Sequence, residues 1–176
     1  MRPLPTAPRE PYRDLALLWG AVAALAACLW AADALALPGA PDADAGRLAM
    51  LSGAPYERAV TVLRAIDRAL DAETVALPRA RVVAAVVAAR ESGLRPEVEA
   101  CRVAGDSGRS WGLWQVHGAT GERACRAGLD AQAAAGVAHL ARCARLWPGS
   151  TALAMRCYGV SHAEAEARAR LVAGWP

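Results

Sequence analysis

Apolar residues are distributed unevenly along the chain, and the first pattern is an uncharged run of eighteen residues, 15–32. Three arginines precede this run. Its length lies between the core of a signal peptide and a membrane span, so residues 1–36 are predicted to direct export. Three forms of this segment stay open: a signal peptide cleaved after Ala36, an anchor retained in the inner membrane, and a lipoprotein signal with lipidation at Cys28.

After this segment the pattern changes to shorter helical stretches. Residues 37–54 are rich in Pro, Gly, Ala and Asp, which predicts a linker. One domain is then expected over residues 55–176. A first helix is predicted after Pro55, and a second begins near Pro78 and ends at Gly93. Because valine and alanine dominate that second helix, we expect it at the centre of the fold.

Three further helices are predicted in the C-terminal part of the chain. The first follows Asp130, a suitable N-cap, and ends before Pro148. A short helix capped by Ser150 or Thr151 comes next. The last begins at Ser161, which has capping-box spacing to a glutamate three residues later.

The segment 99–115 interrupts these helices. Its glycines, serines and aspartate are turn residues, which predicts a short β-hairpin or an irregular loop. The predicted fold is therefore mainly α, of the α+β type. It is a single helical domain with this hairpin or loop at its side.

The charge pattern narrows the class of partner. The formal net charge is +3, and arginines and acidic residues are interspersed along the chain. Nucleic-acid-binding domains carry a basic stripe or block, so no nucleic acid is expected as a partner. A mildly positive chain suits an anionic wall polymer. The chain is expected to be a monomer.

Export would place the cysteines in an oxidising compartment, where disulfides are expected. Four cysteines lie beyond the targeting segment: Cys101, Cys125, Cys143 and Cys157. They can pair in three ways. Cys143 and Cys157 lie on consecutive predicted helices joined by a Pro-Gly turn, which favours their pairing and leaves Cys101 with Cys125. The alternative is a zinc site with His117 or His139, but the C-x-x-C spacing of structural zinc sites is absent.

Glu91 is the first candidate for chemistry. It lies in the last turn of the apolar helix, at the negative end of the helix dipole. That position and burial against valines both favour the protonated carboxyl group. Such an acid can protonate the leaving oxygen when a glycosidic bond is cleaved. An exposed glutamate at a frayed helix end is the other interpretation, and position alone does not decide between them.

The segment that follows provides a resemblance. Glu91-Ser92-Gly93 at a helix end, followed by the glycine-rich segment 105–115 (GDSGRSWGLWQ), resembles the lysozyme-like superfamily of soluble lytic transglycosylases and goose-type lysozymes. The resemblance implies that Glu91 is the general acid/base. It also implies a set of substrate-binding residues: Ser92, Asp106, Trp111, Gly112, Leu113, Trp114, Gln115, His117 and Tyr158.

Later segments extend the resemblance over most of residues 78–172. Residues 130–143, 154–159 and 166–172 are similar to family segments in the same order. The family tyrosine, which would reach the catalytic glutamate, is matched by Tyr158.

Three positions depart from the family pattern. Trp114 replaces the usual methionine, and Gly159 replaces the asparagine after the family tyrosine. His117 stands where goose-type lysozymes have a second acid.

The function implied is cleavage of the β-1,4 bond between N-acetylmuramic acid and N-acetylglucosamine by a lytic transglycosylase. The partners expected are peptidoglycan glycan strands and, through residues 1–36, the inner membrane, with the enzyme facing the periplasm or secreted. No cofactor and no metal are expected. One alternative is a hydrolytic muramidase that uses Asp106, such as a phage endolysin. Another is a non-catalytic peptidoglycan-binding component of a secretion apparatus.

Overall fold

The computed structural model describes residues 42–175, which form eight helices and one two-stranded sheet. In chain order these are α1 (Ala43–Ser52), α2 (Tyr56–Ala72), α3 (Ala80–Ser92), α4 (Pro96–Glu99), β1 (Ser110–Trp111), β2 (Val116–His117), α5 (Gly118–Ala127), α6 (Leu129–Leu146), α7 (Thr151–Arg156) and α8 (His162–Ala173). The predicted fold class, mainly α with a short hairpin, is confirmed.

Helix α3 is the centre of the hydrophobic core. Every residue from 82 to 89 is buried, as the run of valine and alanine predicted. Charged residues occur only at its two ends, with Arg81 in the first turn and Arg90 and Glu91 in the last. Gly93 ends the helix in the left-handed conformation, at φ 59°. The buried helix therefore places Glu91 at a fixed position where it leaves the core.

Helix α1 corrects the linker predicted over 37–54. Asp42 caps this helix, because its side chain accepts a hydrogen bond from the amide of Asp44 at 2.9 Å. Ala45 and Leu48 are fully buried. Arg81 then donates to Asp42 at 3.1 Å and so ties the start of α1 to α3. The linker prediction was wrong for residues 43–52.

Two details of the central segment also differ from the sequence prediction. Helix α5 was not predicted, because it has no side-chain cap and buries only Gly121 and Cys125. Helix α6 begins at Leu129 after Gly128, so Asp130 lies in its first turn and is not its N-cap. In contrast, the predicted end of α6 before Pro148 is confirmed.

The caps and disulfides of the C-terminal part agree with the prediction. The hydroxyl of Ser150 accepts from the amide of Leu153 at 3.3 Å, and that of Ser161 from Glu164 at 3.2 Å. The structure contains the two predicted disulfides, Cys101–Cys125 and Cys143–Cys157. The first joins the segment before the hairpin to α5, and the second joins α6 to the end of α7.

The hairpin is held against α3 by Trp114, which lies between the two strands. The strands are antiparallel, with Ser110 opposite His117. Trp114 is 1 % exposed, and its indole N–H donates to the carbonyl of Ala84 at 3.0 Å. Gly136 of α6 lies against the indole so closely that a Cβ there would be 2.3 Å from Cγ of the ring.

No helix within residues 42–175 is long and apolar enough to cross a membrane. The predicted targeting segment, residues 1–36, and Cys28 lie outside the described residues.

The contact between Gly136 and Trp114 gives a stability prediction. Gly136→Ala is expected to lower the free energy of unfolding by about 1 to 3 kcal/mol, the usual cost of overpacking a core. Gly46→Ala in α1 is the matched control, since a Cβ there meets nothing within 4 Å. The control is expected to gain about 0.5 to 1 kcal/mol from helix propensity. Urea unfolding measures both variants, and a gain in both would contradict the packing described.

Candidate active site

A polar cavity of about 220 Å³ opens beside the C-terminal end of α3. It is lined by Glu91, Asp106, Ser110, Gln115, Val116, His117, His139, Cys157, Tyr158 and Gly159. These residues come from the end of α3, the hairpin and the segment before it, helix α6 and the segment after α7. Five predicted site residues are brought together here: Glu91, Asp106, Gln115, His117 and Tyr158.

Glu91 meets a cation at the end of α3. Its side chain is 17 % exposed, and Arg168 donates to its Oε1 at 2.6 Å. The Arg168 side chain is only 5 % exposed. The sequence led us to expect burial against valines and the negative end of the helix dipole around this group. The structure adds a buried cation, Arg168, as its direct partner.

Arg168 also connects Glu91 to a second carboxylate. Its Nε donates to Oε1 of Glu164 at 2.9 Å, and Arg90 donates to the same oxygen at 2.9 Å. The hydrogen bonds from Arg168 and then Arg90 hold the pKa of Glu164 below its ordinary value. The four side chains form a network of alternating charge that holds Glu91 from the side of α8.

The hairpin contributes a compact polar cluster. The hydroxyl of buried Ser110 donates to Oδ2 of Asp106 at 2.9 Å. Nε2 of His117 lies 3.0 Å from the same oxygen and 3.2 Å from the hydroxyl. In a serine nucleophile triad the aspartate binds the opposite ring nitrogen from the serine. Here both contact one nitrogen, so the cluster is not such a triad.

Gln115 and Tyr158 line the cavity while their polar atoms contact the backbone. The amide of Gln115 donates to the carbonyl of Gly112 at 2.9 Å. The hydroxyl of Tyr158 donates to the carbonyl of Gly136 at 3.1 Å. Tyr158 thus lines the same cavity as Glu91, while its hydroxyl bonds to α6. Burial, and secondarily the charge of Glu91, raises the pKa of Tyr158 well above its ordinary value, so it is a neutral phenol.

His139 is a cavity residue that the sequence did not single out for the site. Its ring packs edge-on against Tyr158, with 4.6 Å between centroids. Arg142 donates to its Nδ1, which fixes a tautomer with the proton on Nε2. Burial, with a smaller effect from Arg142, lowers the pKa of His139. The ring therefore presents a neutral imidazole to the cavity.

Five predicted substrate contacts do not line this cavity: Ser92, Trp111, Gly112, Leu113 and Trp114. Ser92 is buried and donates to the carbonyl of Ala88 at 2.8 Å, at the end of its own helix. Leu113 and Trp114 are buried in the core. Gly112 packs on the side chain of Gln132. Trp111 is partly buried outside the cavity. Ser92, Gly112, Leu113 and Trp114 are buried, so the structure does not support direct substrate contacts for them, whereas the contact expected for Trp111 stays a prediction.

The disulfides remove the cysteine ligands that the alternative of a zinc site requires. Ligand atoms of His139, Cys143 and Cys157 lie within 4.8 Å of one another. However, Cys143 and Cys157 are joined in a disulfide, and a metal would need their free thiolates.

The network around Glu91 gives a second stability prediction. Arg168→Gln is expected to lower the free energy of unfolding by roughly 3 kcal/mol, because it leaves the mostly buried Glu91 carboxylate without its cation, while Glu164 keeps Arg90. The matched control is Arg126→Gln, which breaks a surface pair with Glu122. That control is expected to cost less than about 0.5 kcal/mol. Equal losses in urea unfolding at pH 7 would show that the Arg168 network contributes no more than a surface pair.

Comparison of the chain with protein-family models, with curated proteins and with solved structures finds no match. The similarity to the lysozyme-like superfamily therefore rests on the motifs within the sequence.

Proposed function

We propose that this protein is a lytic transglycosylase that cleaves the β-1,4 bond between N-acetylmuramic acid and N-acetylglucosamine in peptidoglycan. Glu91 is its single acid/base. One observation carries the proposal: a mostly buried carboxylate at the end of the central helix lines a polar cavity. Gln115 and Tyr158, two of the residues that the resemblance assigns to the site, line the same cavity.

The first half of the reaction uses Glu91 as an acid. Its protonated carboxyl group gives a proton to the glycosidic oxygen, the bond from that oxygen to the anomeric carbon breaks, and the muramic ring takes up positive charge. Substrate that enters the cavity displaces solvent from around this carboxyl group. The sugar oxygen then competes with Arg168 for the carboxyl group.

The second half uses the same group as a base. The C6 hydroxyl of the muramic residue attacks its own anomeric carbon and gives its proton to Glu91. The product is an anhydro ring, and no water is consumed. Arg168, 2.6 Å from this carboxyl group, holds it in position for the transfer. Side chains of this chain supply every proton transfer, and the reaction needs no cofactor.

Other cavity residues provide polar contacts for the sugar. The side-chain oxygen of Gln115, the imidazole of His139 and the exposed face of His117 lie around the same space. Hydroxyl and acetamido groups of an amino sugar both donate and accept hydrogen bonds, so they match this mixture.

Hydrolysis is the second candidate, because Asp106 lines the cavity together with Glu91. A second carboxylate can activate water on the opposite face of the sugar ring. Asp106 already accepts hydrogen bonds from Ser110 and His117. Its acceptor oxygen is thus already engaged within the hairpin, which favours the transglycosylase.

Export to the periplasm is part of the proposal. Two disulfides within residues 42–175 support it, since such bonds persist in oxidising compartments.

Glu91→Gln tests the acid/base role. The substitution keeps the shape and can still accept the hydrogen bond of Arg168, but it cannot transfer a proton. We expect lysis of purified sacculi to fall by about 10² to 10⁴-fold, with the thermal unfolding temperature little changed. Glu122→Gln, a surface carboxylate, is the control and keeps full activity. Turnover that survives in Glu91→Gln would remove the acid/base role of Glu91, and binding without turnover in the wild type would favour a non-catalytic wall component.

Product analysis separates the two reactions. Mass spectrometry of the released fragments is expected to find anhydro ends, each lighter by one water than a hydrolysed end. Asp106→Asn is expected to change their yield less than about threefold, whereas loss of a general base costs about 10² or more. Reducing ends that disappear in Asp106→Asn would instead assign hydrolysis to the pair of carboxylates.

A further inference from the structure

A second cavity, of about 370 Å³, adjoins the central cavity. Gly159 lines both. The other lining residues are Trp147, Leu153, Arg156 and Val160. We propose that this cavity is a distal saccharide subsite in which Trp147 stacks on a sugar ring. The inference rests on the proposed function, since the sugar belongs to the strand that occupies the central cavity.

Trp147 is the residue that points to a sugar. It is 37 % exposed, in contrast to Trp114 and Trp175, which are 1 % and 5 % exposed. An indole left in contact with water on a cavity wall offers a flat apolar face with a polar N–H at its edge. A pyranose ring presents a complementary face of C–H bonds, with hydroxyl groups around its rim. Tryptophan is also among the residues most enriched at sites of strong binding.

Arg156 provides the polar part of the subsite. It is exposed and makes no ion pair with any carboxylate among residues 42–175. Its guanidinium is therefore free to donate to hydroxyl, acetamido or carboxylate oxygens of the glycan. Leu153 and Val160 complete the wall with apolar atoms, which suits the mixed surface of an amino sugar.

The local structure holds Trp147 in place before any ligand arrives. Its backbone amide donates to the carbonyl of Cys143 at 3.1 Å, and its carbonyl accepts from the amide of Ser150 at 3.3 Å. The disulfide between Cys143 and Cys157 joins the helix before Trp147 to the segment beyond α7. A platform that is already ordered loses little conformational entropy on binding.

Because the two cavities share a lining residue, a glycan strand is favoured over a second copy of the chain as the occupant. Gly159 lines both cavities, and because a Cβ built on it would meet nothing within 4 Å, no other residue packs over this glycine. A linear polymer seated over Glu91 can extend across Gly159 to Trp147. A stable contact between protein copies needs about 800 Å² from each partner, much more than this cavity wall offers.

Binding of oligosaccharides of two lengths tests the subsite. The full-length chain with Glu91→Gln is titrated calorimetrically with a tetrasaccharide and an octasaccharide of the peptidoglycan repeat, so that no ligand is cleaved. Adding Trp147→Ala is expected to weaken octasaccharide binding by about tenfold and to leave tetrasaccharide binding unchanged. Trp147→Tyr is expected to keep most of the affinity, which separates lost stacking from lost folding. Met50→Ala, at an apolar residue 80 % exposed elsewhere on the surface, is the control and binds like the parent.

The outcomes distinguish the subsite from the proposed function. Octasaccharide affinity that is unchanged in Trp147→Ala, or equal weakening at both lengths, overturns the subsite. A mass by light scattering that falls from dimer to monomer in Trp147→Ala assigns the residue to a contact between copies and also overturns it. Absence of binding to either ligand overturns subsite and function together. Binding that depends on Trp147, without turnover by the wild-type chain, supports the subsite and removes only the catalytic assignment.

Discussion

The burial of helix α3 is the constraint on which the site depends. Residues 82–89 contact protein on all sides, so no charged group can be tolerated along the middle of this helix. A charged catalytic side chain can therefore lie only where the helix leaves the core. Gly93 fixes that point, because it ends the helix in the left-handed conformation. Glu91 stands in this last turn, and Arg168 of α8 supplies the opposite charge that a mostly buried carboxylate requires.

The residues of the hairpin segment fall into two groups, those that pack in the core and those that line the cavity. Gly112, Leu113 and Trp114 face inward, where the amide of Leu113 binds the side chain of Gln132 and the indole binds α3. Gln115, at φ 46°, turns the chain outward again, so Gln115 lines the cavity after the buried stretch, as Ser110 does before it. The inward residues position the outward ones, and a change in the core here would displace the site.

Local patterns in the sequence predicted the parts of the fold that depend on local physics. The apolar run of α3, the glycine that ends it and the serine caps of α7 and α8 each express a rule that acts within a few residues. The disulfide pairs followed from the order of the helices. Helix α1 was missed because Ala45 and Leu48 are its only buried residues, a signal too sparse to separate from a linker rich in alanine and glycine.

The site was only partly predictable for a related reason. Periodicity identifies a helix of alternating charge such as α8, but it does not tell which arginine points inward, and Arg168 was found only through its burial. Likewise, a tryptophan in a glycine-rich segment can face a ligand or the core with equal local cost. The contact with α3 that buries Trp114 comes from residues thirty positions earlier in the chain.

The close contact between Trp114 and Gly136 has a consequence for how this sequence can vary. The indole fills the space that a side chain at position 136 would need, so the two positions cannot drift independently. A relative with a larger residue at position 136 is therefore expected to carry a smaller side chain than tryptophan at position 114. The pair is thus a recognisable signature of correlated substitution, twenty-two residues apart, for relatives that keep this arrangement of hairpin and helix.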